Sequence, residues 1–233
     1  MQAVESETLI LYHTDLRGEW PEGPARSLAA RLPYARRLAV GSGSAAARAS
    51  LAGIALALRA LAALLARHVS AGELVLTPGL KPRLAQPLLR QPARGSAEVP
   101  ARRVAAVPAA VPELPADAAG IAPDFSISHS GPWVGCAALA RGRVGLDIEM
   151  GTDARIADWV VREATLKATG AGLRAVRELG ELRLQEDGVR WRGERWHVRR
   201  LDLFPGASAC VLSSRALQSL EVRALTLAEL FHP

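Results

Sequence analysis

The chain has 233 residues, of which 49% are hydrophobic and 22% are charged. This composition is ordinary for a globular protein with a buried core, and it excludes disorder along the whole chain. The formal net charge is +6, and nearly all the positive charge comes from Arg, because the only lysines are Lys81 and Lys167. This balance fits either a general bias toward Arg and Ala or an anionic partner. Aromatic residues make up only 4%, so a stacking platform for nucleic acid is not expected.

The cysteines and the apolar segments bear on the compartment. Cys136 and Cys210 lack metal-ligand spacing and suggest no disulfide framework, so a reducing, cytoplasmic environment is expected. The N-terminal residues carry early acids, and their apolar run is too short for a signal peptide. The longest apolar tract, residues 49–66, is rich in Ala and interrupted by Arg59. We interpret it as a buried helix, so no membrane partner is expected.

The first part of the chain predicts a small α+β unit. Residues 8–13 favour a strand, whereas the prolines and glycines of 17–33 favour a loop with one helical turn at most. Residues 45–68 are rich in Ala and Leu without Pro, which predicts a long helix with Ser44 as its N-cap. Residues 71–79 then predict a turn and a short strand.

The second part of the chain follows a proline-rich segment. Nine of the 15 prolines lie between positions 78 and 123, which predicts an extended linker with room for a short strand at 103–107. Beyond the linker, the pattern predicts strands at 125–128, 133–139 and 144–149, a helix at 154–169, further strands between 180 and 213, and a short terminal helical turn.

A short internal sequence repeat bears on the architecture. The pattern GEL-x-L follows a predicted long helix twice, at 72–76 and at 180–184. This repeat predicts an α+β fold of two similar halves related by a pseudo-twofold axis, with a ligand cleft between them. The predicted divisions are an N-terminal half, 1–77, a linker crossing between the halves, 78–123, and a C-terminal half, 124–233, that carries the chemical motifs.

Asp147 and Glu149 are spaced by one residue in the predicted strand 144–149. Side chains two residues apart lie on the same side of a strand, so the two carboxylates share a face. Adjacent carboxylates repel each other unless a cation lies between them, and carboxylates combined with phosphate oxygens suit Mg²⁺. A solvated strand face would show the same pattern, so this pair alone leaves both interpretations open.

Two further groups are equally ambiguous when taken singly. Glu163 and Lys167 lie four residues apart on the predicted helix and share a face, as an ordinary surface ion pair also would. His129 lies between Ser128 and Ser130 at the end of a predicted strand. There its imidazole can donate to a phosphate or cap the turn.

The order and spacing of these groups resemble a known signature. The segments FSISHSG, VGLDIE and WVVREATLK occur in the order of the three motifs of the 4′-phosphopantetheinyl transferases. The similarity is closest to the two-lobed, monomeric, surfactin-type members. Weaker similarity in ARRL, RASLAG, GLKP and LTLAEL extends it over nearly the whole chain, but it is specific only for residues 124–173.

The resemblance implies a reaction and a metal site. The reaction transfers the 4′-phosphopantetheine arm of coenzyme A to a serine of an acyl or peptidyl carrier protein and releases 3′,5′-ADP. Asp147, Glu149 and Glu163 would be ligands of Mg²⁺. Glu163 would also help to deprotonate the carrier serine, directly or through a water, and Lys167 would contact the phosphates, so the implied catalytic residues are Glu163, Lys167 and Asp147.

The resemblance also implies where coenzyme A binds. Arg48, together with Arg36 and Arg37, would pair with the 3′-phosphate, for which a bidentate guanidinium is suited. Lys81 and Pro82 would border the adenine. The implied coenzyme A-binding residues are Arg48, Lys81, Pro82, Ser128, His129 and Lys167.

Three features depart from the family pattern. Arg162 stands where the family usually has Lys, the segment before FSISHSG is longer than usual, and only nine residues separate Glu149 from Trp159. An extended chain over 150–155 spans about 20 Å, so the helix can still double back and bring Glu163 to the strand acids. The resemblance thus implies a monomeric, Mg²⁺-dependent phosphopantetheinyl transferase. The alternatives are a non-catalytic coenzyme A-binding homologue and an Arg-rich nucleic-acid-binding protein.

Overall fold

The computed structural model describes residues 7–33, 43–76, 81–85, 123–185 and 188–232. These residues form a mixed α+β structure, which confirms the predicted fold class. The α-helices are α1 (Glu22–Arg31), α2 (Ala45–Leu65), α3 (Ala154–Thr169) and α4 (Leu227–Phe231), and 3₁₀ segments lie at Ala71–Glu73 and Leu173–Glu181.

The strands of the described residues form three sheets. The strands are β1 (Glu7–Asp15), β2 (Leu74–Val75), β3 (Arg83–Leu84), β4 (Asp124–Ser130), β5 (Trp133–Leu139), β6 (Val144–Met150), β7 (Arg183–Gln185), β8 (Gly188–Trp191), β9 (Glu194–Leu201), β10 (Ala207–Ser213) and β11 (Leu217–Ala224). The first sheet has the order β11-β1-β5-β4, and only its β1–β11 pair is parallel. The second sheet has the antiparallel order β6-β10-β9-β8-β7, and β2 pairs with β3.

Helix α2 covers one face of the first sheet. Ser44 caps its N-terminus by accepting a hydrogen bond from the amide of Ala47, as predicted. Among the described residues, α2 is the one helix long and apolar enough to cross a membrane by length and composition alone. In this structure Ile54, Leu56 and Leu61 are buried in a core shared with β1, β4 and β5. Burial of such side chains stabilises the fold by about 1.5–3 kcal/mol each.

Helix α3 covers one face of the second sheet and begins and ends where the sequence predicts. The Asp153 side chain caps its first turn by accepting from the amides of Arg155 and Ile156. Gly170 ends it in the left-handed conformation, with φ of 70°, which favours glycine. Val160, Val161 and Leu166, among others, bury the apolar side of the helix against β6, β8, β9 and β10.

The two remaining sheet faces pack against each other. Leu9 and Leu11 of β1 are buried in one cluster with Val144, Leu146 and Ile148 of β6. The order of layers is therefore α2, first sheet, second sheet, α3. Because alternate side chains of β6 enter this core, Asp147 and Glu149 must lie on its other face, toward α3.

One expectation about the elements is wrong, and one strand is not among those expected. Residues 17–33 contain the ten-residue helix α1 rather than a loop. Its prolines are tolerated because Pro21 precedes the helix and Pro24 lies in the first turn, where amide groups have no intrahelical acceptor. The strand β11 was not predicted. Most of its residues are exposed, so the alternation that marks a half-buried strand is missing.

The proposed division into halves remains a prediction. The first sheet joins β1, from the predicted N-terminal half, to β4, β5 and β11, from the predicted C-terminal half. Of the predicted linker, residues 81–85 and 123 are described, and β3 pairs there with β2. The strand predicted at 103–107 and the arginines Arg36 and Arg37 lie outside the described residues.

Candidate metal and phosphate site

The two acids of β6 meet an acid of α3. Oxygen atoms of Asp147, Glu149 and Glu163 all lie within 4.8 Å of one another. The approach of helix to strand depends on Gly145, because a Cβ atom at that position would lie 1.9 Å from the carbonyl oxygen of Ala164. The short connection after Glu149 thus suffices for the helix to double back past the strand.

Lys167 joins this group from the next turn of α3. Its Nζ atom lies 2.6 Å from Oδ1 of Asp147 and 3.3 Å from Oε1 of Glu163. It also donates to Oγ of Ser128 at 3.0 Å. The Glu163–Lys167 pair is therefore part of a cluster with a strand acid and is not a solvated surface pair.

Asp147 is the buried member of the cluster. Its side chain is 1% exposed, and burial raises its pKa to about 6, against the opposing effect of Lys167. Oδ1 accepts from Lys167 and Ser128, whereas Oδ2 is buried and has no hydrogen-bond partner among the described residues. A buried acceptor without a partner is costly, and a cation bound at Oδ2 would remove that cost.

The other two carboxylates are each held through one oxygen. Ser130 donates to Oε2 of Glu149 at 3.0 Å, and the indole of Trp159 donates to Oε2 of Glu163 at 3.1 Å. Three convergent carboxylates are hard oxygen donors of the kind that Mg²⁺ and Mn²⁺ prefer. The residues present therefore fit the divalent cation that the sequence resemblance implies.

His129 and Arg48 line a second feature, a cavity of about 470 Å³. His129 is exposed near the end of β4, and Arg48 lies in the first turn of α2. The Arg48 guanidinium lies 5.3 Å from the ring centre of Trp20 and 3.5 Å from Oε1 of Glu22. The structure thus brings these two predicted phosphate-binding residues to one cavity.

Lys81 is not brought to that cavity. Its side chain is 12% exposed, and its Nζ donates to Oδ2 of Asp124 and, at 2.7 Å, to the carbonyl oxygen of Val144. The partial burial of the ammonium group lowers the pKa of this lysine. Asp124 and His129 lie five residues apart on β4, a separation of about 17 Å. Lys81, with the half-buried Pro82 beside it, therefore lies toward the opposite end of the strand from His129.

Arg162 also lies apart from the carboxylates. Its guanidinium donates to the carbonyl oxygen of Leu179 at 2.8 Å and lies 3.8 Å from Asp158. The arginine that departs from the family pattern thus holds the 3₁₀ segment Leu173–Glu181 against α3.

Ser130 and Trp159 contact metal-site carboxylates but were not predicted as site residues. The indole of Trp159 reaches Glu163 because residues four positions apart share a face of a helix. Ser130 carried one sequence signal, the alternation of polar residues in DFSISHS. That pattern gives the shared face of the side chains but not the strand that they meet.

No protein-family model matches the chain, and a comparison with curated proteins also finds no match. The case for a function therefore rests on the chemistry of the described residues and on the order of the sequence motifs.

Proposed function

We propose that the chain transfers the 4′-phosphopantetheine arm of coenzyme A to a serine of an acyl or peptidyl carrier protein. The serine oxygen forms a bond to the phosphorus that carries the pantetheine arm. The bond from that phosphorus to the bridging oxygen of the pyrophosphate breaks, and 3′,5′-ADP leaves. We also propose that the enzyme is monomeric and cytoplasmic.

One observation carries the proposal. Two motifs that are weak singly converge, so that the β6 acids, the α3 acid and Lys167 form one cluster. The unpartnered Oδ2 of Asp147 is a second, independent indication of a ligand, because a side chain that is 1% exposed rarely leaves a carboxylate oxygen without a partner. The motif order then favours a pyrophosphate-bearing substrate.

Each residue of the cluster has a proposed role. Asp147, Glu149 and Glu163 would hold Mg²⁺, which neutralises charge on the pyrophosphate when bound. Glu163 accepts the proton of the carrier serine, directly or through a water. Lys167 donates to the transferred phosphoryl group, where a compact ammonium is a suitable donor.

Coenzyme A would extend from this cluster into the cavity that contains His129 and Arg48. His129 would donate to a phosphate. The Ser128 hydroxyl, for which the resemblance implies a further phosphate contact, is buried and bonds Asp147 and Lys167 instead. Arg48 would pair with the 3′-phosphate, which a guanidinium can contact through two parallel hydrogen bonds. The adenine contact that the resemblance implies for Lys81 and Pro82 is not part of this arrangement, because Lys81 pairs with Asp124 toward the opposite end of β4 from the cavity.

The finer architecture belongs to the same proposal. Two similar halves, each a long helix over a sheet, would be related by a pseudo-twofold axis, with coenzyme A in the cleft between them. Support comes from the parallel order of elements, since α2 and α3 are each followed by a 3₁₀ segment and a short strand.

The decisive experiment offers the protein coenzyme A, Mg²⁺ and a panel of apo carrier proteins, followed by intact-protein mass spectrometry. The expected result is a carrier heavier by one phosphopantetheine group. Asp147→Asn should abolish transfer. Asp158→Asn changes a half-buried acid of α3 that pairs with Arg162 away from the three carboxylates, and it should leave transfer unchanged. Coenzyme A binding without transfer to any carrier would instead support a non-catalytic homologue, and absence of both would refute the assignment.

A second candidate, binding of a polyanion such as nucleic acid, has one observation in its favour. Arg183, Arg190 and Arg195 are cross-strand partners in β7, β8 and β9, and all three are exposed. They form a row about 10 Å long at the Cα atoms, and like charges directly opposite each other destabilise a sheet. Salt-sensitive binding of an oligonucleotide that Arg190→Gln weakens, together with no coenzyme A binding, would favour this function.

A further inference from the structure

Strand β4 meets strand β6 through side chains instead of a backbone ladder. In the sheets formed by the described residues, β4 and β6 are both edge strands. Alternate side chains of β4 accept the outward amides of β6, each across an interval of twenty residues. The acceptor–donor pairs are Asp124–Val144 at 2.7 Å, Ser126–Leu146 at 3.0 Å, Ser128–Ile148 at 3.2 Å and Ser130–Met150 at 3.1 Å.

Two of these serines also hold a carboxylate of the metal site. Ser128 accepts from the amide of Ile148 and donates to Oδ1 of Asp147 at 3.0 Å. Ser130 accepts from the amide of Met150 and donates to Oε2 of Glu149 at 3.0 Å. Each hydroxyl thus donates to a carboxylate and accepts from the amide of the residue that follows it. Since an amide can only donate, the single hydroxyl proton is directed to the carboxylate.

Ser126 makes the same contact with a β6 amide but bonds no carboxylate. It accepts the amide of Leu146, but the preceding residue on β6 is Gly145, which has no side chain to hold. The three serines therefore share one structural bond, while only Ser128 and Ser130 add a contact to a metal ligand. This difference makes Ser126 a matched control within the same pair of strands.

We propose that Ser130 and Ser128 are positioning residues that fix Glu149 and Asp147 in the geometry that binds a divalent cation. The inference rests on the proposed metal site and adds residues that set its affinity. By bonding Oδ1 of Asp147, Ser128 leaves the buried Oδ2 for the cation. Ser130 restrains the longer Glu149 side chain, which would otherwise lose rotamer freedom only when the cation binds.

The test is a titration of the full chain with Mn²⁺ alone, without coenzyme A, in which electron paramagnetic resonance reports the free ion. Ser130→Ala should weaken Mn²⁺ binding about ten- to hundredfold, as is typical for loss of a partner of a metal ligand. Ser130→Thr keeps the hydroxyl and should restore most of the affinity. Ser126→Ala should bind Mn²⁺ like the unmodified chain. Thermal unfolding of each variant shows that it is folded.

The outcomes separate this inference from the proposed function. Equal Mn²⁺ affinity in Ser130→Ala and the unmodified chain would overturn the positioning role while leaving the metal site intact. Equal losses in Ser126→Ala and Ser130→Ala would also overturn it, because the shared amide bond would then explain both. Failure of the unmodified chain to bind Mn²⁺ would overturn the metal site itself. Ser128→Ala provides a second variant, with the same expected direction, in case Ser130→Ala does not fold.

Discussion

The ammonium nitrogen of Lys167 lies 2.6 Å from Oδ1 of Asp147, whose side chain is 1% exposed. The lysine thus supplies a counter-charge to a buried carboxylate that also faces two other acids. Removing one partner of a buried pair typically destabilises a protein by about 3–5 kcal/mol, because the other charge remains uncompensated. The chain has only two lysines, and each pairs with an aspartate in this way.

Lys167→Met should lower the melting temperature, and Mn²⁺ should raise it again by more than it does in the unmodified chain. The physical reason is that a bound cation replaces the missing positive charge at Asp147. Lys81→Met is the matched control, since it leaves Asp124 unpaired away from the three carboxylates. Differential scanning calorimetry with and without Mn²⁺ checks both variants. An equal effect of Mn²⁺ on the two would contradict the location of the site.

Glu163→Gln should abolish stabilisation by Mn²⁺ and reduce phosphopantetheine transfer by at least about 100-fold. The substitution removes one of three charged ligands and the proposed proton acceptor in a single step. A ligand at 100 times its dissociation constant stabilises a folded protein by about 2.7 kcal/mol, so the loss is measurable as a melting temperature. Asp158→Asn, on the same helix and paired with Arg162, should keep both properties. Retained Mn²⁺ stabilisation in Glu163→Gln would remove Glu163 from the ligand set.

The sequence was sufficient to predict both ends of α3, because helix ends depend on local chemistry. Asp153 and Gly170 supply the capping oxygen and the left-handed backbone, and both effects act within a few residues. The i, i+2 spacing likewise predicted that Asp147 and Glu149 share a face, and the i, i+4 spacing predicted the same for Glu163 and Lys167. Their convergence into one cluster follows from the packing of α3 on β6, which Gly145 permits.

The contacts between strands could not be predicted in the same way. The bond from Ser130 to Glu149 joins residues nineteen positions apart, and it exists because two sheets meet along β4 and β6. Periodicity shows which side chains of DFSISHS share a face but not what that face meets. Lys81 illustrates the same limit, since its pairing with Asp124 crosses 43 positions.

Glu73 should contribute a pH-dependent stability outside the candidate site. The Arg67 guanidinium and the Ser70 amide lower its pKa from 4.5 to about 2. A carboxyl with a depressed folded-state pKa stabilises the protein above pH 4.5 and loses this effect as the pH falls toward 2. The pair is partly exposed, so the contribution is at most about 1 kcal/mol. The melting temperatures of Glu73→Gln and the unmodified chain should therefore differ at pH 6 and converge toward pH 2.5. A constant difference would contradict the depressed pKa.

Gly145→Ala should destabilise the fold and weaken Mn²⁺ binding together. The added Cβ would lie 1.9 Å from the carbonyl oxygen of Ala164, so α3 must move away from β6 and carry Glu163 with it. Overpacking of this kind costs about 1–3 kcal/mol. Gly180→Ala is the control, because nothing lies within 4 Å of a Cβ added there. Calorimetry and Mn²⁺ titration check both, and unchanged Mn²⁺ affinity in Gly145→Ala would show that the helix position does not set the site.

Arg48→Gln should raise the KM for coenzyme A but not for 3′-dephospho-coenzyme A. A hydrogen bond to a charged group contributes about 1.5–3 kcal/mol, so the expected rise is about ten- to hundredfold. Arg59→Gln is the control. It changes another arginine of α2, which donates to the carbonyl oxygens of Glu229 and His232, and it should leave the KM for both substrates unchanged. Transfer rates measured over a range of each substrate separate the cases. If Arg48→Gln raises both KM values equally, Arg48 shapes the cavity and does not recognise the 3′-phosphate.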